Sequence, residues 1–64
     1  MSQKLQILNH LKNQKSITPI EALADYGCMR LGARCFELRK LGYPIRTMMV
    51  ERNGKRFAEY VMED

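Results

Sequence analysis

Residues 28–41, C-M-R-L-G-A-R-C-F-E-L-R-K-L, decide how this chain is read. At about 100° per residue, Leu31, Cys35 and Leu38 fall within a narrow arc with Leu41 at its edge, the spacing of an amphipathic helix over 29–41. That arc is the core face. The opposite face begins with Met29, Arg30 and Ala33 and ends with Glu37 and Lys40, while Arg34 lies at the border. A surface that is small or basic over its first two turns suits an anion. Arg39 and Lys40 sit in the last turn, where cations oppose the helix dipole, and Gly42 follows where a helix end favours a left-handed residue.

Upstream, Thr18-Pro19-Ile20-Glu21 is a helix start. Thr18 caps, Pro19 occupies the first helical position where its missing N–H is no loss, and Glu21 completes a capping box. The pattern predicts a helix over 19–25 with Ile20, Leu23 and Ala24 facing inward. Tyr26-Gly27-Cys28 then interrupts it, and Gly27 is suited to a sharp turn at positive φ. A short helix, a tight turn and a second amphipathic helix make a helix-turn-helix, whose second helix enters the DNA major groove. Earlier still, residues 3–13 put Leu5, Ile7, Leu8 and Leu11 on one broad face behind a Ser2 cap, with His10 reading as a solvated residue near the C-terminal end. Asn13 to Ser16 reads as a polar connector, and Ile17 as a short extended segment that pairs with a later strand.

Downstream of Gly42 the pattern changes. Tyr43-Pro44 cannot continue a helix, and the following I-R-T-M-M-V-E favours strand. Asn53-Gly54 between two strand-like runs predicts a hairpin over 45–62 with a two-residue type I′ loop. Arg52 then opposes Lys55, Glu51 opposes Arg56, Met49 opposes Ala58 and Thr47 opposes Tyr60. Ile45, Thr47, Met49, Ala58, Tyr60 and Met62 share one face, taken as the inner one. The other face carries Arg46, Met48, Val50, Phe57, Glu59 and Val61, which is too apolar to be wholly exposed. It either meets a partner subunit or gains cover through a one-residue slip in register. Glu63 and Asp64 form an acidic end with no evident role.

Sixty-four residues suffice for one domain with a small core. The 45% hydrophobic and 28% charged content is that of a soluble globular chain, and no apolar run is long enough to cross a bilayer. The N-terminal stretch lacks the apolar region of a signal peptide, which places the expected location in the cytoplasm. Cys28 and Cys35 stand about 10 Å apart along the predicted helix, beyond disulfide reach. With one distant histidine, His10, they match no zinc spacing. Cys35 reads as packing and Cys28 as part of the helix entry; no metal and no cofactor is expected.

Charge is the strongest compositional signal. Residues 28–56 hold eight of the eleven Lys and Arg against only Glu37 and Glu51, a net +6 within a chain of net +4. A polyanion is the partner such a concentration implies.

Three helices followed by a β-hairpin with a basic tip is the plan of the winged helix-turn-helix domains, and the match runs from residue 3 to 62. More narrowly, residues 17–45 resemble a family of small helix-turn-helix domains found in bacteriophages and prophages. The features that carry the resemblance are T-P-x-E-A-L at the entry to helix two, G-C-x-R-L at the entry to helix three, A-R-x-x-E-L-R within it and G-x-x-I leading into the wing. The resemblance implies a mainly α fold with a C-terminal hairpin, double-stranded DNA as partner, and regulation of phage or prophage genes in a bacterial host cell. It also implies that Met29, Arg30, Ala33, Arg34 and Glu37 lie over base edges or adjacent phosphates. Arg30, on the outward face of the first turn, suits a bidentate contact to guanine; Arg34 serves either a phosphate or a structural pair with Glu37. Gly32 would let a backbone or sugar approach closely. Thr18, Lys40, Arg52, Lys55 and Arg56 would meet the DNA backbone, with Glu51 competing for Arg56.

One recognition helix and one wing cover a single half-site, so a homodimer or adjacent copies are expected. The competing function is a protein-binding module that engages a host protein through Phe36 or the face of Met48, Val50 and Phe57. Catalysis is not expected, because no nucleophile stands with a histidine base, no glycine loop cradles a phosphate, and so short a chain hardly encloses a pocket for a small-molecule substrate.

Overall fold

The computed structural model describes residues 2–63. In chain order it contains α1 (Gln3–Gln14), β1 (Ser16–Ile17), α2 (Pro19–Tyr26), α3 (Leu31–Lys40), β2 (Ile45–Arg52) and β3 (Lys55–Met62). The strands form an antiparallel sheet in the order β1-β3-β2. No helix among the described residues is long and apolar enough to cross a membrane.

Each helix begins and ends where its side chains supply the missing partners. Ser2 Oγ accepts from the Leu5 amide at 3.3 Å. The α1 helix runs one residue beyond the expected Asn13, and Lys15 then turns left-handed with its amide donating to the Leu11 carbonyl. At α2 both halves of the capping box form: Glu21 N–H donates to Thr18 Oγ1, and Thr18 N–H donates to Glu21 Oε1 at 2.9 Å. Gly27 ends α2 at φ +65, a conformation that a Cβ would oppose. The last turn of α3 closes with Gly42 N–H on the Arg39 carbonyl and Tyr43 N–H on the Leu38 carbonyl, the reciprocal pair of a Schellman ending.

The core lies where α1, α3 and the base of the sheet meet. Ile7, Leu8 and Leu11 of α1 pack with Leu31, Cys35 and Leu38 of α3, and Ile17, Ile45 and Met62 close the sheet side. Leu5, expected on the buried face of α1, is half exposed instead. Burial pushes the Cys35 thiol up to about 11, with nearby Arg39 pulling the other way and Cys28 adding a smaller upward push. Both cysteines are buried free thiols.

The structure corrects the expected face of α2. Ile20 and Leu23 are 75% and 54% exposed and Ala24 is exposed, while Ala22 is fully buried and Tyr26 half-buried. Pairing of Ile17 with Tyr60 sets how the chain enters α2, and that entry turns the small Ala22 toward the core. The phenol of Tyr26 then meets His10, with Nδ1 2.8 Å from the hydroxyl and the rings edge-on. His10 is therefore a half-buried partner of Tyr26 rather than a solvated residue.

The hairpin has the expected register at every pair from Ile45–Met62 to Arg52–Lys55, with Asn53 and Gly54 at φ +53 and +76. Its inner face is core only at the base. Ile45 and Met62 are buried, Tyr60 packs beside α3, and Met49 near the tip is exposed. Toward the tip the inner face has no helix over Met49, while Arg52, Asn53 and Lys55 line a cleft with the start of α2. The other face is half-covered without any slip: Phe57 and Glu59, with Arg52, Asn53 and Lys55 at the tip, share this cleft of about 470 Å³ with Thr18, Ile20 and Glu21 at the start of α2. At the acidic end, Glu63 pairs with Arg46 at 3.3 Å and its amide donates to the Pro44 carbonyl, whereas Asp64 lies outside the described residues.

Candidate nucleic-acid interface

The α3 helix begins later than its sequence pattern implied. Met29 and Arg30 belong to the turn, and Arg30 is the N-cap residue, its carbonyl accepting from the Ala33 and Arg34 amides at 3.1 and 3.3 Å. Cys28 is only 2% exposed, and seating its side chain in the core draws the chain inward before the helix starts. Arg30 is thus not on the outward face of a first helical turn. It stands exposed just ahead of the helix, next to Met29, which is 85% exposed. Leu41, expected at the core edge, is exposed because the helix has closed at Lys40.

Along α3, one flank meets the sheet. Arg39 Nε donates to the Ile45 carbonyl at 2.7 Å, its Nη2 donates to Thr47 Oγ1, and its guanidinium lies 5.9 Å from the Tyr60 ring centre. Seven residues earlier on the same flank, a Cβ on Gly32 would stand 3.0 Å from the Tyr60 hydroxyl. The missing side chain at Gly32 therefore makes room for the Tyr60 hydroxyl, while Gly32 itself stays exposed. On the other flank Arg34 engages Glu37, Nε to Oε1 at 3.2 Å and Nη2 to Oε2 at 3.3 Å. Between the flanks lie Ala33, Phe36 and Lys40, with the Lys40 ammonium 5.2 Å from the Phe36 ring centre.

The cations divide into two sets. Arg34, Arg39 and Arg46 are engaged by Glu37, the start of β2 and Glu63 respectively. Arg30, Arg52, Lys55 and Arg56 are all exposed, and among the described residues no acid pairs with them. Glu51 faces Arg56 in register without an ion pair between them. These four cations cluster at two places, the entry to α3 and the tip of the β2–β3 hairpin. Thr18 differs from the other candidate contacts, since its hydroxyl and amide are both taken by Glu21.

A family model described as "Winged helix-turn-helix domain" matches residues 2–64. The chain belongs to the winged helix-turn-helix family. No curated protein and no solved structure matches it. In the frame of this family α2, the 27–30 turn and α3 form the helix-turn-helix, the β2–β3 hairpin is the wing, and the family points to DNA binding in general.

Two features of this winged helix-turn-helix were not read from sequence. The apolar patch of Ile20, Leu23 and Met29, around a shallow pocket of about 220 Å³ shared with Pro19 and Cys28, was missed because two turns of α2 do not define a unique buried face. The role of Tyr60 between Gly32 and Arg39 was missed because it joins residues 21 to 28 positions apart. A glycine inside an otherwise regular helix was the available signal. Among the described residues no cluster of His, Cys, Asp or Glu has the arrangement to hold a metal ion.

Proposed function

We propose that this chain is a sequence-specific double-stranded DNA-binding protein, acting as a small regulator or architectural factor of phage or prophage genes in the host cytoplasm. The observation that carries the reading is the placement of its unpaired cations. Arg30 stands exposed at the entry to α3, and Arg52, Lys55 and Arg56 stand exposed around the tip of the β2–β3 hairpin, none of them paired with an acid among the described residues; in this reading the first meets the major groove and the others the phosphate backbone. Met29, Ala33, Glu37 and Lys40 complete the surface turned toward bases and adjacent phosphates. Arg34 acts mainly through Glu37, and Thr18 presents the start of α2 to the backbone. Single modules bury about 600–1,000 Å² on DNA, a small part of the 4508 Å² surface of this chain. Two copies on one operator, as a homodimer or side by side, supply the remaining contacts.

The test is Arg30→Ala on a duplex selected from a random pool. Binding should weaken by about 1–3 kcal/mol with relaxed preference at one base position. Equal weakening on every sequence would make Arg30 a phosphate contact and remove the specificity assigned to it.

A second reading, a protein-binding module that docks a host protein, is favoured by the contiguous exposure of Ile20, Leu23 and Met29. Phe36 and the half-covered face of Met48, Val50 and Phe57 offer further apolar surface for such a partner. Loss of a captured partner on Leu23→Asp or Phe57→Ala, with duplex affinity absent in the parent, would establish this reading in place of the first.

A further inference from the structure

We propose that Phe36, with Ala33 one turn before it, reads the C5-methyl group of a pyrimidine in the major groove; the inference rests on the DNA-binding reading above. On α3, Leu31, Cys35 and Leu38 are turned to the core, Gly32 and Arg39 meet the sheet, and Arg34 is tied to Glu37. That leaves Ala33, Phe36 and Lys40 as the outward strip of the recognition helix. Phe36 is 56% exposed and is the one large apolar side chain of the strip.

The surroundings of the ring name its occupant. Lys40 covers one side of the ring with its ammonium, which limits the ring's freedom while leaving its edge open, and brings a positive charge to the same spot. An apolar protein surface would match a contiguous apolar patch such as Ile20, Leu23 and Met29. A ring flanked by a methyl side chain and a cation, within a segment of net +6, instead matches an apolar group embedded in a polyanion. In the major groove that group is the C5-methyl of thymine, and apolar side chains such as Ala and Phe are the ones that contact it. A cytosine methylated at C5 presents the same group at the same place.

The test starts from a duplex selected by the parent protein, with affinities measured by fluorescence anisotropy. Each thymine is replaced in turn by deoxyuridine, which removes the methyl group alone, and each cytosine in turn by 5-methylcytosine. If the group read is that of thymine, one deoxyuridine weakens binding about four-fold. If it is that of methylated cytosine, one 5-methylcytosine strengthens binding by a similar factor. Phe36→Ala abolishes that difference and Phe36→Leu retains part of it; the ring is exposed, so both variants should melt near the parent temperature. Indifference to every substitution, or an undiminished methyl effect in Phe36→Ala, overturns the proposal while leaving DNA binding intact. Failure of the parent to enrich or bind any duplex at low salt instead overturns the DNA-binding reading itself, and this inference with it.

Discussion

At Gly32 two opposing effects meet within one residue. Glycine is less favourable than alanine in a helix, by up to roughly 1 kcal/mol in the interior and by less in the first turn, where Gly32 is the second residue of α3; yet a methyl group here stands 3.0 Å from the Tyr60 hydroxyl. Gly32→Ala should therefore gain little or lose stability in the parent protein. In a Tyr60→Phe background, where the obstructing oxygen is gone, the same change should stabilise by up to about 0.5 kcal/mol, less than at an interior position. Urea unfolding of the four proteins of this cycle decides it, and equal effects in both backgrounds would show that Tyr60 does not explain the glycine. Cys35 offers a second check at this scale. Its folded pKa lies above the ordinary thiol value because burial favours the neutral form. The resulting contribution to stability is fully present below pH 9.0 and is lost as the pH rises through about 11. Between pH 8 and 10.5 the parent should lose more stability than Cys35→Ala; equal losses would contradict the assignment. The sequence marked Cys35 as core and put Tyr60 on the inner face of the hairpin. The contact of Tyr60 with Gly32 was not legible, because it exists only once the hairpin folds back on α3.

Among the elements, the hairpin was the most legible because Asn53-Gly54 constrains the turn and the turn fixes every pair that follows. The α2 boundary was legible for the same kind of reason, since Thr18, Pro19 and Glu21 act locally. The buried face of α2 was not, because eight residues supply too few apolar positions to choose between Ala22 with Tyr26 and Ile20 with Leu23; the entry through β1 makes that choice. The start of α3 was misplaced at Met29 because periodicity continues through Cys28 even though its side chain is buried from a turn. Arg39 illustrates a further limit. In sequence it is a cation opposing a dipole; in the fold it ties α3 to β2 through Ile45 and Thr47. Arg39→Leu should cost about 1 kcal/mol and speed amide exchange in the wing more than in α1. Uniform acceleration across α1 and the wing would mean that Arg39 serves global stability rather than the junction of helix and wing.

At the scale of the whole molecule, the arginines at the junctions within the fold are engaged by carboxylates or by β2, whereas those at the entry to α3 and at the hairpin tip have no acid partner among the described residues. Arg34 and Arg46 have carboxylate partners, while Arg30 and the wing-tip residues Arg52, Lys55 and Arg56 do not. This arrangement predicts distinct roles for the two sites. Replacing Lys55 and Arg56 by alanine should lower affinity on all sequences alike and reduce the salt slope by roughly 0.9 for each phosphate contact removed. An unchanged slope would take the wing out of the interface. The net +6 of residues 28–56 was legible as a count, but which of its eight cations remain available became visible only with the pairing of the folded chain. The most direct measurement is anisotropy of a labelled random-sequence duplex titrated with the protein across a series of salt concentrations. The account predicts tight binding at low salt, with the logarithm of the binding constant falling linearly against the logarithm of salt concentration. Absence of binding at low salt would contradict it.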